Sequence, residues 1–329
     1  MMTGRFLRDA GFGLSCLLLL SAFASPALAQ SSYPVRPIRI IAPTSPGSGS
    51  DIIARLLAQG LSERLGRQVI VENRTGAGTM IGGDIVAKAQ PDGYTLLMGV
   101  STLAINPATY KTVPYDALRD FAPITQAVFA SNIMVVHPSV PARSAKEFIA
   151  FAKTRPNQVI YASAGFGTNP HLATELFASM AGIKMVHVPY QGDAPSIVDL
   201  IAGHVAMTVS PVPRSLPHVR SGRLRALGVT SASRVPAAPE IPTIAEAGVP
   251  GYEAVQWYGL LAPAGTPREI IARLHKESVA TLRSKDGKER LADAYVEVVA
   301  NSPDEFSAFI KAETVKWGKV AKAVGIVPE

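Results

Sequence analysis

The sequence is short of several things, and each shortage excludes a class of answer. It holds a single cysteine, Cys16, in 329 residues, which leaves no disulfide within the chain and no cysteine-built zinc or iron–sulfur site. Aromatic residues make up 7% and charged residues 17%, against 47% apolar. That balance describes a folded chain with a core, not a disordered one. The formal charge is +7, but the basic residues are scattered with no run of five, so no nucleic-acid partner is indicated. Catalytic and cofactor signatures are also missing. There is no G-x-x-x-x-G-K-[ST] and no H-E-x-x-H, and the six histidines form no close metal-binding pair in the sequence. Gly76-Ala77-Gly78 begins like a dinucleotide fingerprint, but Ile81 stands where the third small residue belongs. Ser163 comes nearest to a nucleophile elbow, with Tyr161 in place of the first glycine. Nothing in the sequence implies a cofactor, a metal or a catalytic group.

What is present starts at the N-terminus. Arg5 and Arg8 precede an apolar stretch from Gly11 to Ala24, and Ala27-Leu28-Ala29 follows. Charge, apolar segment and small residues in that order predict a secretory signal over residues 1–29, cleaved after Ala29. The apolar stretch is short of the roughly 20 residues that a membrane anchor needs. Lipidation at Cys16 is disfavoured by Gly13 and by the leucines that follow the cysteine. Cleavage would remove Arg5, Arg8 and Asp9, leaving 30 basic and 24 acidic residues and no cysteine. A cysteine-free exported chain fits an oxidising compartment without depending on disulfides.

The remaining length suits two domains. Ile38 to Ala42 reads as a strand, and Ile53, Leu57, Leu61 and Leu65 recur at helical spacing up to Gly66. Val69 to Val71 and Thr95 to Val100 follow as strands. Ile133–Val136, Val159–Ala162, Met185–Val188, Val205–Val209 and Arg225–Val229 continue the pattern, with helices between them. Val255 to Ala262 reads as extended, Pro267 to Leu282 as a helix, Val296 to Val299 as a strand, and a last helix reaches Ala323. The pairs Ser144/Glu147, Thr243/Glu246, Thr266/Glu269 and Ser302/Glu305 predict capping boxes at four helix starts. Such alternation is the signature of an α/β fold with largely parallel sheets and ligands at the carboxyl ends of strands.

Three loops rich in glycine and hydroxyls then open helices. They are Pro43 to Asp51, Thr75 to Thr79, and Ser163 to His171. Each would present unpaired N–H groups and a partial positive charge, which suits a carboxylate. The predicted ligand contacts are Thr44, Ser45, Gly47 and Ser48 in the first loop and Gly78 in the second. Ser101 and Thr102 follow a strand. Ser163, Gly165, Gly167, Thr168, Asn169 and His171 belong to the third loop, and Tyr190 ends another strand. Asp51 and Asp193 read as helix caps, and Arg74 as a surface charge.

Several stretches in combination resemble one family. They include Val71-Glu72-Asn73-Arg74, Pro91-Asp92-Gly93-Tyr94-Thr95-Leu96-Leu97, Tyr161-Ala162-Ser163-Ala164-Gly165, Val188-Pro189-Tyr190-Gln191-Gly192 and Gly259-Leu260-Leu261-Ala262-Pro263-Ala264-Gly265-Thr266-Pro267. The chain resembles the Bug or TctC family, periplasmic solute receptors of tripartite tricarboxylate transporters, from about Tyr33 to Ala323. The resemblance implies a periplasmic-binding-protein-like (Venus flytrap) fold, two α/β domains around a cleft. By similarity, domain 1 comprises residues 30–130 plus 252–329, and domain 2 residues 131–251. The implied ligand is a small carboxylate, held by backbone N–H groups and hydroxyls, partly through water. The implied partners are integral-membrane permease subunits, with a sensor kinase as the alternative. The first loop departs from the family pattern, because Ser48 stands for a second glycine and Thr44 and Ser45 for apolar residues. Thr75, Thr79 and Gln191 stand where proline, glycine and lysine are usual. An exported α/β hydrolase acting through Ser163 is the rival reading, without an elbow or an evident base.

Overall fold

Strand β1 (Ile38–Ala42) exposes Arg39 and buries both isoleucines beyond it. This central position follows from its apolar sequence: a strand with helices on both faces must be apolar on both. The computed structural model describes residues 33–328, and Arg36–Glu329 form one compact unit. The expected leader, residues 1–29, and Cys16 within it lie outside the described residues.

The strands that follow are β2 (Val69–Asn73), β3 (Thr95–Val100), β4 (Phe121–Ala130), β5 (Asn132–Val136), β6 (Ile160–Ser163), β7 (Val186–Pro189), β8 (Met207–Pro211), β9 (Arg225–Val229), β10 (Gln256–Pro263) and β11 (Val296–Val298). The helices are α1 (Gly49–Leu65), α2 (Met80–Ala87), α3 (Thr102–Thr109), α4 (Ala145–Lys153), α5 (Asn169–Ala181), α6 (Asp193–Ile201), α7 (Val212–Arg220), α8 (Arg268–Leu282), α9 (Lys285–Asp293) and α10 (Pro303–Ala323). They build two sheets of order β11-β4-β10-β3-β1-β2 and β7-β6-β8-β5-β9. The chain leaves the first sheet at Ala130, enters the second at Asn132, and returns at Gln256 beside Ala130.

The expectation of largely parallel sheets needs correction. β1 is parallel to β2 and β3, and β6 to β7 and β8. The other five pairings are antiparallel, through β10 against β3 and β4, β11 against β4, and β5 against β8 and β9. The reason is the crossing itself. A strand that arrives from the other sheet has no crossover helix to turn it round, so it enters the sheet from the opposite end.

Both faces of β5 are buried. Met134 and Val136 join a core that reaches Phe148, Phe177, Trp257 and Trp317, while Ile133 and Val135 face a second core with Ile197 and Leu200. Helix α10 packs against both α3 and α5, so it touches helices flanking each sheet. Its Trp317 is fully buried and donates through Nε1 to Glu313 at 2.8 Å.

The capping boxes divide. Ser302 and Glu305 form the complete box, with Pro303 at the first helical position of α10. Ser144 accepts from the Glu147 amide, but the Glu147 carboxylate reaches the Arg143 amide instead. Thr243 and Glu246 bond reciprocally around a turn, not a helix. Thr266 donates to the Pro263 carbonyl, and α8 starts after Pro267 without a side-chain cap.

Candidate functional site

Five helix starts converge on a cleft of about 920 Å³ between the two sheets, lined by residues from α1, α3, α5, α6 and α7. Strand ends contribute Asn132, Gln256 and Tyr258. The first loop is held from beneath by Asp51, which is buried and accepts from the Gly47 amide, Asn73 Nδ2 and Arg55 Nε, each at 2.9 Å. Burial works to raise the Asp51 pKa, and the bonds from Arg55, Gly47 and Asn73 outweigh it and hold the carboxyl below its usual range. Above that clasp the Thr44 hydroxyl bonds to the hydroxyls of both Ser48 and Ser50.

Ser48 is the N-cap residue of α1 in extended geometry, yet its side chain caps no amide. Thr168 has the same place at α5, and its hydroxyl donates to the Gly165 carbonyl at 2.7 Å instead. The first amides of both helices are thus left without a side-chain acceptor. An anionic oxygen is the natural complement to such a helix start, which carries about half a positive charge.

Of the predicted contacts, Thr44, Gly47, Ser48, Thr102, Thr168 and Asn169 line the cleft. The others stand elsewhere. Ser45 is exposed on the outer side of its turn and accepts the Ser48 amide through its carbonyl at 3.2 Å. Gly78 lies in a tight left-handed turn (φ 61°) whose carbonyl accepts from Asn106 Nδ2 at 3.0 Å. Ser101 is fully buried and orients Gln256, donating to its Oε1 at 2.6 Å. Gly165 and Gly167 shape the backbone of the third loop, at φ 134° and 69°. Tyr190 commits its hydroxyl to Asp199 at 2.6 Å, and burial, then that carboxylate, pushes the phenol up to about 12.

Ser163 and His171 belong to a buried ring cluster behind the cleft wall. The His171 and His187 rings stack with centroids 4.0 Å apart, and Tyr161 stacks on the other face of His187 at 4.8 Å. Ser163 Oγ is 2.6 Å from His187 Nε2, and His171 Nδ1 accepts from the Gly167 amide at 3.2 Å. Burial pulls His171 down to about 3, with His187 adding to it, and pulls His187 down to about 4. The histidines that look isolated in the sequence are brought together by β6, β7 and α5.

Sequence reasoning missed Tyr258, Asp193 and Arg214. Tyr258 points its hydroxyl at Gly49, where a Cβ would stand 2.3 Å away. Asp193 was expected to cap α6, but the helix begins at Asp193 with Gly192 as N-cap. The residue lines the cleft with Oδ1 buried, and burial raises its pKa while Arg214 draws it down. The position of Asp193 after a strand-to-helix turn was a signal, but no spacing links residues 193, 214 and 258. No cluster of three or more metal-ligating side chains occurs among the described residues.

The family model for the tripartite tricarboxylate transporter family receptor, TctC, matches residues 53–326. This chain belongs to the TctC family. As a TctC receptor it is a solute-binding protein, and its two α/β domains flank the cleft in a periplasmic-binding-protein-like fold. It is similar to protein BugT of Bordetella pertussis, at 37% identity over 95% of this chain and 96% of BugT. Among solved structures it is similar to Rpa4515 of R. palustris with adipate, at 38% identity and TM-score 0.79, covering 90% of this chain and all of that one. It also resembles MatC of Rhodopseudomonas palustris with bound malate, at 28% identity and TM-score 0.75, covering 88% of this receptor and 100% of MatC.

Proposed function

We propose that this receptor captures a small organic carboxylate in the cleft and hands it, unchanged, to membrane permease subunits of a tripartite tricarboxylate transporter. Two lobes, residues 30–130 with 252–329 and residues 131–251, close over the ligand. The receptor works in the periplasm after loss of residues 1–29. The observation that carries this reading is the pair of helix starts without side-chain caps, α1 and α5, both lining the one cleft. Rpa4515 and MatC, with adipate and malate, supply the chemical precedent. Thr44, Gly47, Ser48, Thr102, Thr168 and Asn169 are the contacts we assign; Gly165 and Gly167 shape the loop that presents two of them.

The Ser163–His187 contact resembles the opening of a nucleophile relay. It lies behind the cleft wall with Ser163 fully buried, which supports binding without chemistry.

The test is a thermal-shift screen of refolded, ligand-free protein against mono-, di- and tricarboxylates, aromatic acids and amino acids. A ligand that binds the native state alone adds about 2.7 kcal/mol at a hundredfold excess over Kd, a rise of roughly 4–5 °C for a protein of this size. The hit should be recovered intact by mass spectrometry. No shift with any acid, or turnover of an ester, rejects the proposal.

A further inference from the structure

The two crossings between the sheets are held by hydrogen bonds that anion capture does not use. Asn169, the first residue of α5, is buried, and its side-chain amide engages both crossings at once. Its Nδ2 donates to the Val255 carbonyl of the return crossing at 3.0 Å. Its Oδ1 accepts from Asn132 Nδ2 of the outgoing crossing at 2.8 Å. Chemistry fixes the orientation of this amide, because a carbonyl can only accept. With Nδ2 on Val255, the oxygen is left for Asn132, which must donate.

Thr230, just past β9, ties the same two segments. Its hydroxyl accepts from the Asn132 amide, its own amide donates to the Asn132 carbonyl, and its carbonyl accepts from the Ala254 amide, each at 2.9 Å. Ser231 Oγ donates to Ser131 Oγ at 3.0 Å, and the Tyr252 hydroxyl donates to the Ala173 carbonyl of α5 at 3.0 Å. Residues 131–132 and 252–255 are therefore fastened to elements of the second sheet. Their neighbours are fastened to the first. Ala130 pairs with Gln256 and Val296, and Gln256 Oε1 accepts from Ser101 Oγ at 2.6 Å. The backbone torsions joining Ala130 to Ser131 and Val255 to Gln256 are what lies between the two fastenings.

We propose that Asn169 and Thr230 are positioning residues that clasp both crossings to the start of α5, so that closure of the cleft turns on the 130–131 and 255–256 steps. The proposal rests on the two lobes closing over a ligand. It moves the lobe boundary on the return crossing from Gly251 to Val255. It also gives one end of α5 two tasks: the backbone amides meet the ligand, and the Asn169 side chain keeps the pivot in register with them. An already ordered pivot leaves less for the ligand to order. Loosening the clasp therefore weakens capture without removing a ligand contact.

Thr230 is fully buried and is not among the residues lining the cleft, so it isolates the clasp from the contacts. Refolded wild-type protein, Thr230→Val and Thr230→Ser are compared by calorimetry and small-angle scattering. The probe is adipate or, where adipate gives no thermal shift, the acid of the thermal-shift panel that gives the largest. Valine keeps the shape and loses the hydroxyl; serine keeps the hydroxyl and loses a methyl. Valine should weaken binding about threefold to tenfold, the scale of one hydrogen bond, and should blunt the fall in radius of gyration on binding. Serine should lower the melting temperature, yet bind and compact as wild type does. A merely structural threonine would lose stability in both variants and affinity in neither. Equal affinity and compaction in wild type and Thr230→Val, or an equal loss in Thr230→Ser, overturns the clasp. Where Thr230→Val does not fold, Asn169→Ala replaces it. The Asn132 and Ala254 amides, remote from residue 169 in sequence, should then exchange hydrogen at least about tenfold faster, and unchanged exchange overturns the clasp. Binding without compaction of wild-type protein sinks the clasp and leaves the carboxylate reading standing, whereas no thermal shift with any acid sinks both.

Discussion

Gly49 shows how one missing side chain shapes the cleft. A Cβ there would stand 2.3 Å from the Tyr258 hydroxyl and 2.9 Å from the ring carbon that bears it. Gly49 begins α1, in a backbone that alanine adopts without strain. In helix interiors alanine is favoured over glycine by up to about 1 kcal/mol, and a smaller gain is expected at a first position. Gly49→Ala should therefore leave the melting temperature unchanged or slightly higher. It should nevertheless weaken ligand binding, because Tyr258 must swing into the space it borders; a fall of about tenfold, or 1.4 kcal/mol, is the expected scale. Calorimetry beside a thermal melt checks both halves, and unchanged affinity would remove Tyr258 from the cleft wall. The glycine itself was visible in the sequence as part of a Gly/Ser loop. Its partner, more than two hundred positions away, was not, because strand β10 reaches it only through the return crossing.

At the scale of the element, the strand–helix unit β6–α5 carries a charge-free stack. His171 sits at about 3 and His187 at about 4, both below the ordinary histidine value, because burial disfavours their charged forms. The unfolded chain therefore binds these protons first as pH falls. Their contribution to stability is complete above about pH 6.5 and is lost as pH drops towards 4. Glu175, bonded to the Tyr161 hydroxyl, is raised by burial and acts in the opposite direction. Paired replacement of the histidines separates the two effects. Between pH 5 and pH 7, wild-type protein should gain more in urea midpoint than His171→Asn/His187→Gln does, and equal gains would refute the assignment. The capping boxes teach the same lesson from the other side. One motif, read at four places, closes fully on α10, partly on α4, around a turn at Thr243, and not at all at Thr266. A local pattern offers hydrogen bonds; whether a helix follows depends on what packs above it.

On the scale of the whole molecule, α10 is the element that both lobes share. It packs against α3 on one side and α5 on the other, with Trp317 fully buried. The chain crossings at residues 130–132 and 254–256 lie side by side, tied by Gln256 opposite Ala130 and by Asn169 Nδ2 donating to the Val255 carbonyl at 3.0 Å. Two adjacent crossings make a natural hinge, and bending there is expected to close the cleft. Small-angle scattering of the refolded protein should show a smaller radius of gyration with the ligand from the thermal screen than without it. An unchanged radius at saturation would mean that the cleft binds without closing.

The sequence by itself determined the alternation of strands and helices, the hydroxyl-rich loops at helix starts and the family, because each rests on residues close together in the chain. Thr44, Ser48, Thr168 and Asn169, read from the sequence in loops that open helices, stand before or at the starts of α1 and α5 and line the cleft. Only the tertiary structure decided which members of those loops face the cleft. Ser163 and His171 turn inward to His187 and Ser101 turns to Gln256, because buried polar atoms must find partners and the nearest lie on neighbouring strands. The antiparallel half of each sheet was likewise decided there. It depends on crossings between sheets, and a crossing brings together residues that no local periodicity connects.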